Sequence, residues 1–394
     1  MTRSASTRAW LLSFSAGAAV CAVIMAVVPH APVPAVPPPP APLAQPKSAP
    51  VPPASPSPTA AVEQADCAGL AAGMSERDQL AQLLMVGVNP ADESDAVEVV
   101  RDDHVGGIFV GGSATRVLTG GRLNAVHAAS PHPLLVAVDD EGGRVQRIDD
   151  LDGELDSARE QAASATPEQV RALGAERGRR LKDRGVTVNL APVADLSEAS
   201  AATVIGDRSY GTDPAVATRY AGAFAEGLTE AGVIPVLKHF PGHGRAEGDS
   251  HKGLVRTPAL AELKAEDLVP YANLLPRGAP VVMLGHLDVP GLTGGEAASV
   301  SPAAYRLLRE DYHFDGVAMT DDLGAMRAIT DRYGLPDAVL AAVTAGADLA
   351  LWSGHDAPGP VLDRLARAKA SGELPGERVA EALTRVLRLR TGCR

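Results

Sequence analysis

The chain has 394 residues, 45% of them hydrophobic and 21% charged, enough for one large globular core. Its formal net charge of −12 excludes a protein that tracks phosphate backbones with a basic face, so nucleic acid is not an expected partner. Aromatic residues make up only 3%, which argues against recognition by ring stacking and for contacts that are mainly polar.

Residues 1–30 read as a signal peptide or membrane anchor. Arg3 and Arg8 precede an uncharged apolar run, Trp10 to Val28, whose 19 residues are long for a signal core and just long enough to span a bilayer. Ala18-Ala19-Val20-Cys21 is an imperfect lipidation box, because Val20 precedes the cysteine. Residues 31–62 are mostly Pro, Ala, Val and Ser, a composition that stays extended as polyproline II instead of packing. At ~3.1 Å per residue such a linker reaches roughly 90 Å. The expected location is therefore secreted or at the cell envelope, with membrane contact only through the N-terminal segment.

Residues 67–394 alternate short β-branched runs with longer amphipathic stretches, the pattern of parallel strands joined by helices. Eight strands are predicted, near Leu83–Val88, Gly107–Val110, Leu134–Val138, Val186–Leu190, Ile234–Leu237, Pro280–Leu284, Gly316–Met319 and Asp348–Trp352. Eight such units favour an α/β fold of one (β/α)8 barrel. A closed barrel brings its two ends together, so in an oxidising compartment a Cys67–Cys393 disulfide is expected to staple them.

Several predicted strands end in polar residues: Asp139 and Asp140, Lys238 and His239, His286, Asp321 and Asp322, with Ser353 and His355 after the last. A barrel gathers those ends on one face, where barrel enzymes hold their active sites. One such residue is simply a strand returning to solvent; several able to move protons or hold charge form a candidate site.

The segment Lys238-His239-Phe240-Pro241-Gly242-His243-Gly244, followed four residues later by Asp249-Ser250-His251, carries the most information. Pro241, Gly242, Gly244 and Gly248 forbid a regular helix and predict a shaped loop that brings His251 over the barrel mouth. The single-residue gap lets Asp249 orient the His251 ring and stabilise its protonated form. His239, His243, Asp249 and His251 are also potential zinc ligands. The spacing opposes that: Pro-Gly separates His239 from His243, and no Glu stands beside the first histidine, so no metal is expected.

This segment, its four spacer residues and Asp-Ser-His together resemble the signature of glycoside hydrolase family 3 β-N-acetylglucosaminidases. The resemblance extends to Val138-Asp139-Asp140-Glu141-Gly142-Gly143-Arg144-Val145-Gln146-Arg147, to Ile205-Gly206-Asp207-Arg208-Ser209-Tyr210-Gly211, and to Phe314-Asp315-Gly316-Val317-Ala318-Met319-Thr320-Asp321-Asp322-Leu323. It implies a cofactor-free, exo-acting, retaining enzyme with Asp321 as nucleophile and His251 as acid/base supported by Asp249. It also implies that Asp139, Arg147, Arg208, Lys238 and His239 hold a terminal N-acetylglucosamine, and that the partner is carbohydrate, such as muropeptide fragments of peptidoglycan.

Each role has physical sense. A carboxylate can attack an anomeric carbon to give a glycosyl-enzyme, and an imidazole with a reference pKa of about 6.5 can protonate the leaving oxygen and later deprotonate water. An imidazole also repels an anionic acceptor less than a carboxylate would, which leaves phosphorolysis as a minor alternative. Arg147 and Arg208 have a plainer reading as ion-pair partners of Asp149, Asp150 or Asp207. Asp322 and His243 are expected to shape the site without reacting. Two further alternatives are a β-glucosidase, whose relatives usually take a Glu from a second domain, and a silent wall-binding barrel.

Thr320, Asp140 and the segment Leu287-Asp288-Val289-Pro290 depart from the family pattern without touching these roles.

Overall fold

The computed structural model describes residues 66–394; the signal or anchor (1–30) and the proline-rich linker (31–62) predicted from sequence lie outside the described residues. Eight strands, β1 (Leu84–Val88), β2 (Gly107–Val110), β3 (Leu135–Val138), β4 (Val188–Asn189), β5 (Ile234–Phe240), β6 (Val281–Leu284), β7 (Val317–Thr320) and β8 (Ala350–Trp352), form one parallel sheet in the order β8-β1-β2-β3-β4-β5-β6-β7. A parallel bridge between Met319 and Leu349, with the Thr320 amide donating to the Leu349 carbonyl at 3.1 Å, brings β7 back to β8 and makes the sheet a (β/α)8 barrel.

Each predicted run overlaps one of these strands, with the largest differences at β4 and β5. β4 is shorter than Val186–Leu190, although the Thr187 and Leu190 amides still donate to the Val136 and Val138 carbonyls at 2.9 and 2.8 Å. β5 runs past Leu237 into the motif because Val193 bridges Lys238 and Phe240 pairs with Leu284.

Alternation along the strands separates two apolar layers. Met85, Phe109, Ala137, Val236, Met283 and Met319 fill the barrel interior, whereas Val86, Ile108, Val136, Leu237, Val282 and Ala318 face the helices. The same period of two continues past the strand ends. Asp139 follows Leu135 and Ala137, Lys238 follows Val236, and Asp321 follows Val317 and Met319, so all three point to the barrel axis at the carboxy-terminal mouth.

Three helices matter for the site and its support: α1 (Cys67–Ala72), α2 (Pro167–Asp183) and α3 (Gly376–Thr391). α2 starts from a capping box in which Thr166 and Gln169 exchange side-chain and backbone hydrogen bonds, with Pro167 in the first turn. α3 packs Val386 and Leu389 into the barrel interior, and Arg390 Nη1 donates to the carbonyl of Gly106, just before β2, at 3.2 Å. α3 therefore closes the amino-terminal mouth, opposite the polar strand ends. Cys67 at the start of α1 is disulfide-bonded to Cys393 beyond α3, with a Cα–Cα distance of 5.1 Å.

Candidate active site

Three consecutive acids after β3 have three different surroundings. Asp139 faces the mouth, with Lys238 Nζ at 3.1 Å and Arg147 Nη2 at 3.6 Å. Asp140 turns the other way and is fully buried, accepting from Arg177 of α2 at 2.6 Å and from the Arg147 amide at 2.8 Å. Glu141 takes Arg208 Nε at 2.7 Å, Arg208 Nη2 at 2.8 Å and Lys238 Nζ at 2.5 Å. Burial opposes the Glu141 charge, yet Arg208 and Lys238 outweigh it and hold the carboxyl well below the usual range. Burial likewise opposes the Lys238 ammonium, and Asp139 and Glu141 raise its pKa in spite of it.

The loop after β5 is organised by Asp195, fully buried beyond β4. Its carboxylate accepts from His239 Nδ1 at 2.7 Å, from the His243 amide at 2.7 Å and from the His239 amide at 3.3 Å. His239 Nε2 then faces Arg208 Nη2 at 3.4 Å. Close approach explains a glycine here: a Cβ on Gly244 would stand 2.0 Å from the Leu196 carbonyl oxygen, and Gly242, at φ +121°, presses against the Asp267 side chain.

His243 is buried, with Nε2 2.9 Å from the hydroxyl of Ser250. Burial and the neighbouring His239 push its pKa down to about 4, so the ring is neutral near pH 7. Ser250 is the buried middle of Asp249-Ser250-His251. On its two sides, Asp249 Oδ1 accepts from the His251 amide at 3.0 Å and meets His251 Nδ1 at 2.9 Å, while the His251 side chain is 61% exposed. Nε2 is therefore the ring nitrogen left to face a ligand.

Asp321 receives the Asp322 amide on Oδ1 at 2.9 Å; among the described residues no other side chain bonds to it, so Oδ2 remains available. Burial works to raise its pKa, but His239, His286, the Asp322 amide and Lys238 bring it down to about 2. Near neutral pH the Lys238 charge matters more than His286, because burial lowers the His286 pKa. His286 sits behind the mouth, donating from Nε2 to the Asp322 carbonyl at 2.8 Å with Nδ1 2.7 Å from Ser299 Oγ. Asp322 is a turn-former: Oδ1 accepts the amides of Gly324 and Ala325, and Oδ2 binds the Ser353 hydroxyl beyond β8.

Asp139, Arg147, Arg208, Lys238, His239, Asp249, His251 and Asp321 all line one cavity of about 820 Å³ at this mouth. The ion pairs considered for Arg147 and Arg208 have other partners: Arg208 binds Glu141, Arg147 approaches Asp139, and Asp207 binds Arg144 at 3.2 Å. His239, His243 and His251 do not converge, each ring being turned to a different partner. Among the described residues no group of three or more His, Cys, Asp or Glu side chains is placed to hold a metal.

Sequence reasoning passed over Glu141, Asp195, Ser250 and Arg177. Asp195 was within reach, as a carboxylate beyond the end of a predicted strand. Arg177 was not, because nothing on a polar helix face marks the one arginine that turns inward.

The model of the glycosyl hydrolase family 3 N-terminal domain matches residues 75–389. The chain is 50% identical over 346 residues to the β-hexosaminidase LpqI of Mycobacterium tuberculosis, covering 86% of this chain and 88% of that one. Among solved structures it is similar to a glycosyl hydrolase family 3 member from Mycobacterium smegmatis, with TM-score 0.79, 53% identity and coverage of 82% of this chain and 99% of the other. It is also similar to a family 3 β-N-acetylglucosaminidase from Paenibacillus, with TM-score 0.75, 31% identity and coverage of 80% and 62%.

Proposed function

The chain belongs to glycosyl hydrolase family 3 and is a glycoside hydrolase, and from that premise we propose that it is an exo-acting, retaining β-N-acetylglucosaminidase. The observation that carries the mechanism is the shared cavity of Asp321 and His251, one carboxylate held ionised and one imidazole with its Nδ1 fixed by Asp249. Oδ2 of Asp321 attacks the anomeric carbon. As the glycosidic bond breaks, the leaving oxygen takes the proton from Nε2 of protonated His251, giving a glycosyl-enzyme and a neutral ring. Nε2 then takes a proton from water, whose oxygen displaces Asp321 and restores the β-configuration.

Asp139, Lys238, Arg147, Arg208 and His239 hold the terminal sugar through its hydroxyls by charge-assisted hydrogen bonds. Glu141 pairs with Arg208 and shares Lys238 with Asp139, so the two cations are held between two carboxylates at the floor of the site. Identity to enzymes named β-hexosaminidase supports N-acetylglucosamine as that sugar. The N-terminal 62 residues, read as an export signal or anchor with a linker, support muropeptide fragments of peptidoglycan as the natural substrate in a secreted or envelope setting.

The test compares hydrolysis of a chromogenic N-acetyl-β-glucosaminide with the matching β-glucoside by the wild type, Asp321→Ala and His251→Ala. Release from the N-acetyl substrate, lost in both variants, supports the assignment. Preference for the glucoside would replace it with a β-glucosidase, and accumulation of a sugar-1-phosphate in phosphate buffer would make the reaction phosphorolysis.

A further inference from the structure

Ser250 has no reacting group in the proposed chemistry, yet it is fully buried between Asp249 and a His251 side chain that is 61% exposed. An imidazole standing that far into solvent has little packing to fix it, so its placement must come largely through the backbone of its loop. Ser250 supplies two ties: its hydroxyl lies 2.9 Å from His243 Nε2, and its carbonyl accepts the Ala328 amide at 3.2 Å. His243 is 2% exposed, and its own amide is held by Asp195 at 2.7 Å. Neither Ser250 nor His243 lines the substrate cavity.

A continuous hydrogen-bonded path thus runs from a carboxylate beyond β4, through the loop after β5, to the centre of the acid/base segment. We propose that His243 and Ser250 form a latch, anchored on Asp195, that positions His251 for proton transfer to the leaving oxygen without touching substrate. This rests on the reading of His251 as the acid/base. A latch of this kind acts on the step that needs a proton and has no direct bearing on Asp321.

The distinguishing experiment uses the full chain as Ser250→Ala and as His243→Gln, with His251→Ala as reference. Three N-acetyl-β-glucosaminides are compared by kcat/KM: the 2,4-dinitrophenyl glycoside, whose leaving group departs without a proton, the 4-nitrophenyl glycoside, and an alkyl glycoside that needs full protonation. General-acid assistance is worth ~10²–10⁴-fold, so each latch variant is expected to lose roughly tenfold or more on the alkyl glycoside and less than about threefold on the dinitrophenyl one. The ratio between substrates does not depend on how much of a variant is folded, so partial destabilisation does not obscure it. Equal losses on all three substrates, or none, overturn the latch. A His251→Ala enzyme without leaving-group dependence overturns it together with the acid/base reading, and so separates that failure from a failure of the latch alone.

Discussion

Glu141 and Arg208 meet in a two-pronged ion pair, with Oε2 2.7 Å from Nε and Oε1 2.8 Å from Nη2, on the nearly sealed floor of the cleft. Lys238 joins the same carboxylate at 2.5 Å, so one acid holds two buried cations. Glu141→Gln keeps the shape and removes the charge, leaving both cations short of a partner. The expected loss is about 3–5 kcal/mol of stability together with a fall in kcat/KM, read by urea unfolding and by assay. The folded pKa of Glu141 lies below its unfolded value, so this stabilisation is complete above about pH 4.3 and fades as pH falls toward the folded value. The gap between wild type and variant should therefore hold steady from about pH 5 upward and narrow only in acid.

Asp321 ionises with a pKa of about 2, which removes it from the working pH range. An acidic limb in the kcat/KM profile between about pH 4 and 7 should then belong to another group, and the nucleophile should be fully charged throughout. A profile in which activity falls with an apparent pKa near 4, and in which that limb moves to higher pH when the neighbouring cation is removed as Lys238→Met, would contradict this assignment.

Much of this arrangement is legible in the sequence, for a physical reason: period-two alternation fixes which residues at a strand end face the barrel axis. Asp139, Lys238 and Asp321 fall on the inward phase of β3, β5 and β7. The supporting residues were less legible because their roles depend on direction. Asp140 and Glu141 are adjacent acids in one motif, yet Asp140 turns back to Arg177 of α2 and Glu141 forward to Arg208 and Lys238. No local pattern distinguishes them. His286 shows the same limit, since a strand-end histidine that looked available is committed to Ser299 and the Asp322 carbonyl.

The Cys67–Cys393 bond spans 326 residues of sequence and sits at the closed amino-terminal pole, away from the cleft. Constraining so long a loop acts mainly on the unfolded chain. Cys67→Ser or Cys393→Ser is expected to cost about 2–5 kcal/mol of stability while kcat/KM at room temperature stays near the wild-type value. Thermal unfolding with and without reductant, beside an activity assay, checks both parts. A large loss of kcat/KM in a folded variant would show that α1 and α3 reach the mouth in a way the barrel architecture does not suggest.

Asp195 offers two oxygens to three N–H groups, the amides of His239 and His243 and the Nδ1 of His239, so its charge and its symmetry both matter. Asp195→Asn is nearly isosteric but turns one acceptor into a donor. If the remaining oxygen keeps the His243 amide, the new NH₂ group meets His239 Nδ1, and that ring must expose a lone pair there and carry its proton on Nε2, against Arg208. If the oxygen keeps His239, the His243 amide is left buried without a partner, at a cost of about 1–3 kcal/mol. Either outcome shifts the loop that bears His239 and, through it, Ser250. A displacement of this kind near a reacting centre is expected to lower kcat/KM on the order of 10²-fold. Asp195→Ala removes every acceptor and should be the more destabilised of the two by urea unfolding. Should Asp195→Asn retain full activity while its melting temperature falls, Asp195 would be holding the fold alone, and the geometry of the β5 loop would have to be set by its own glycines and prolines.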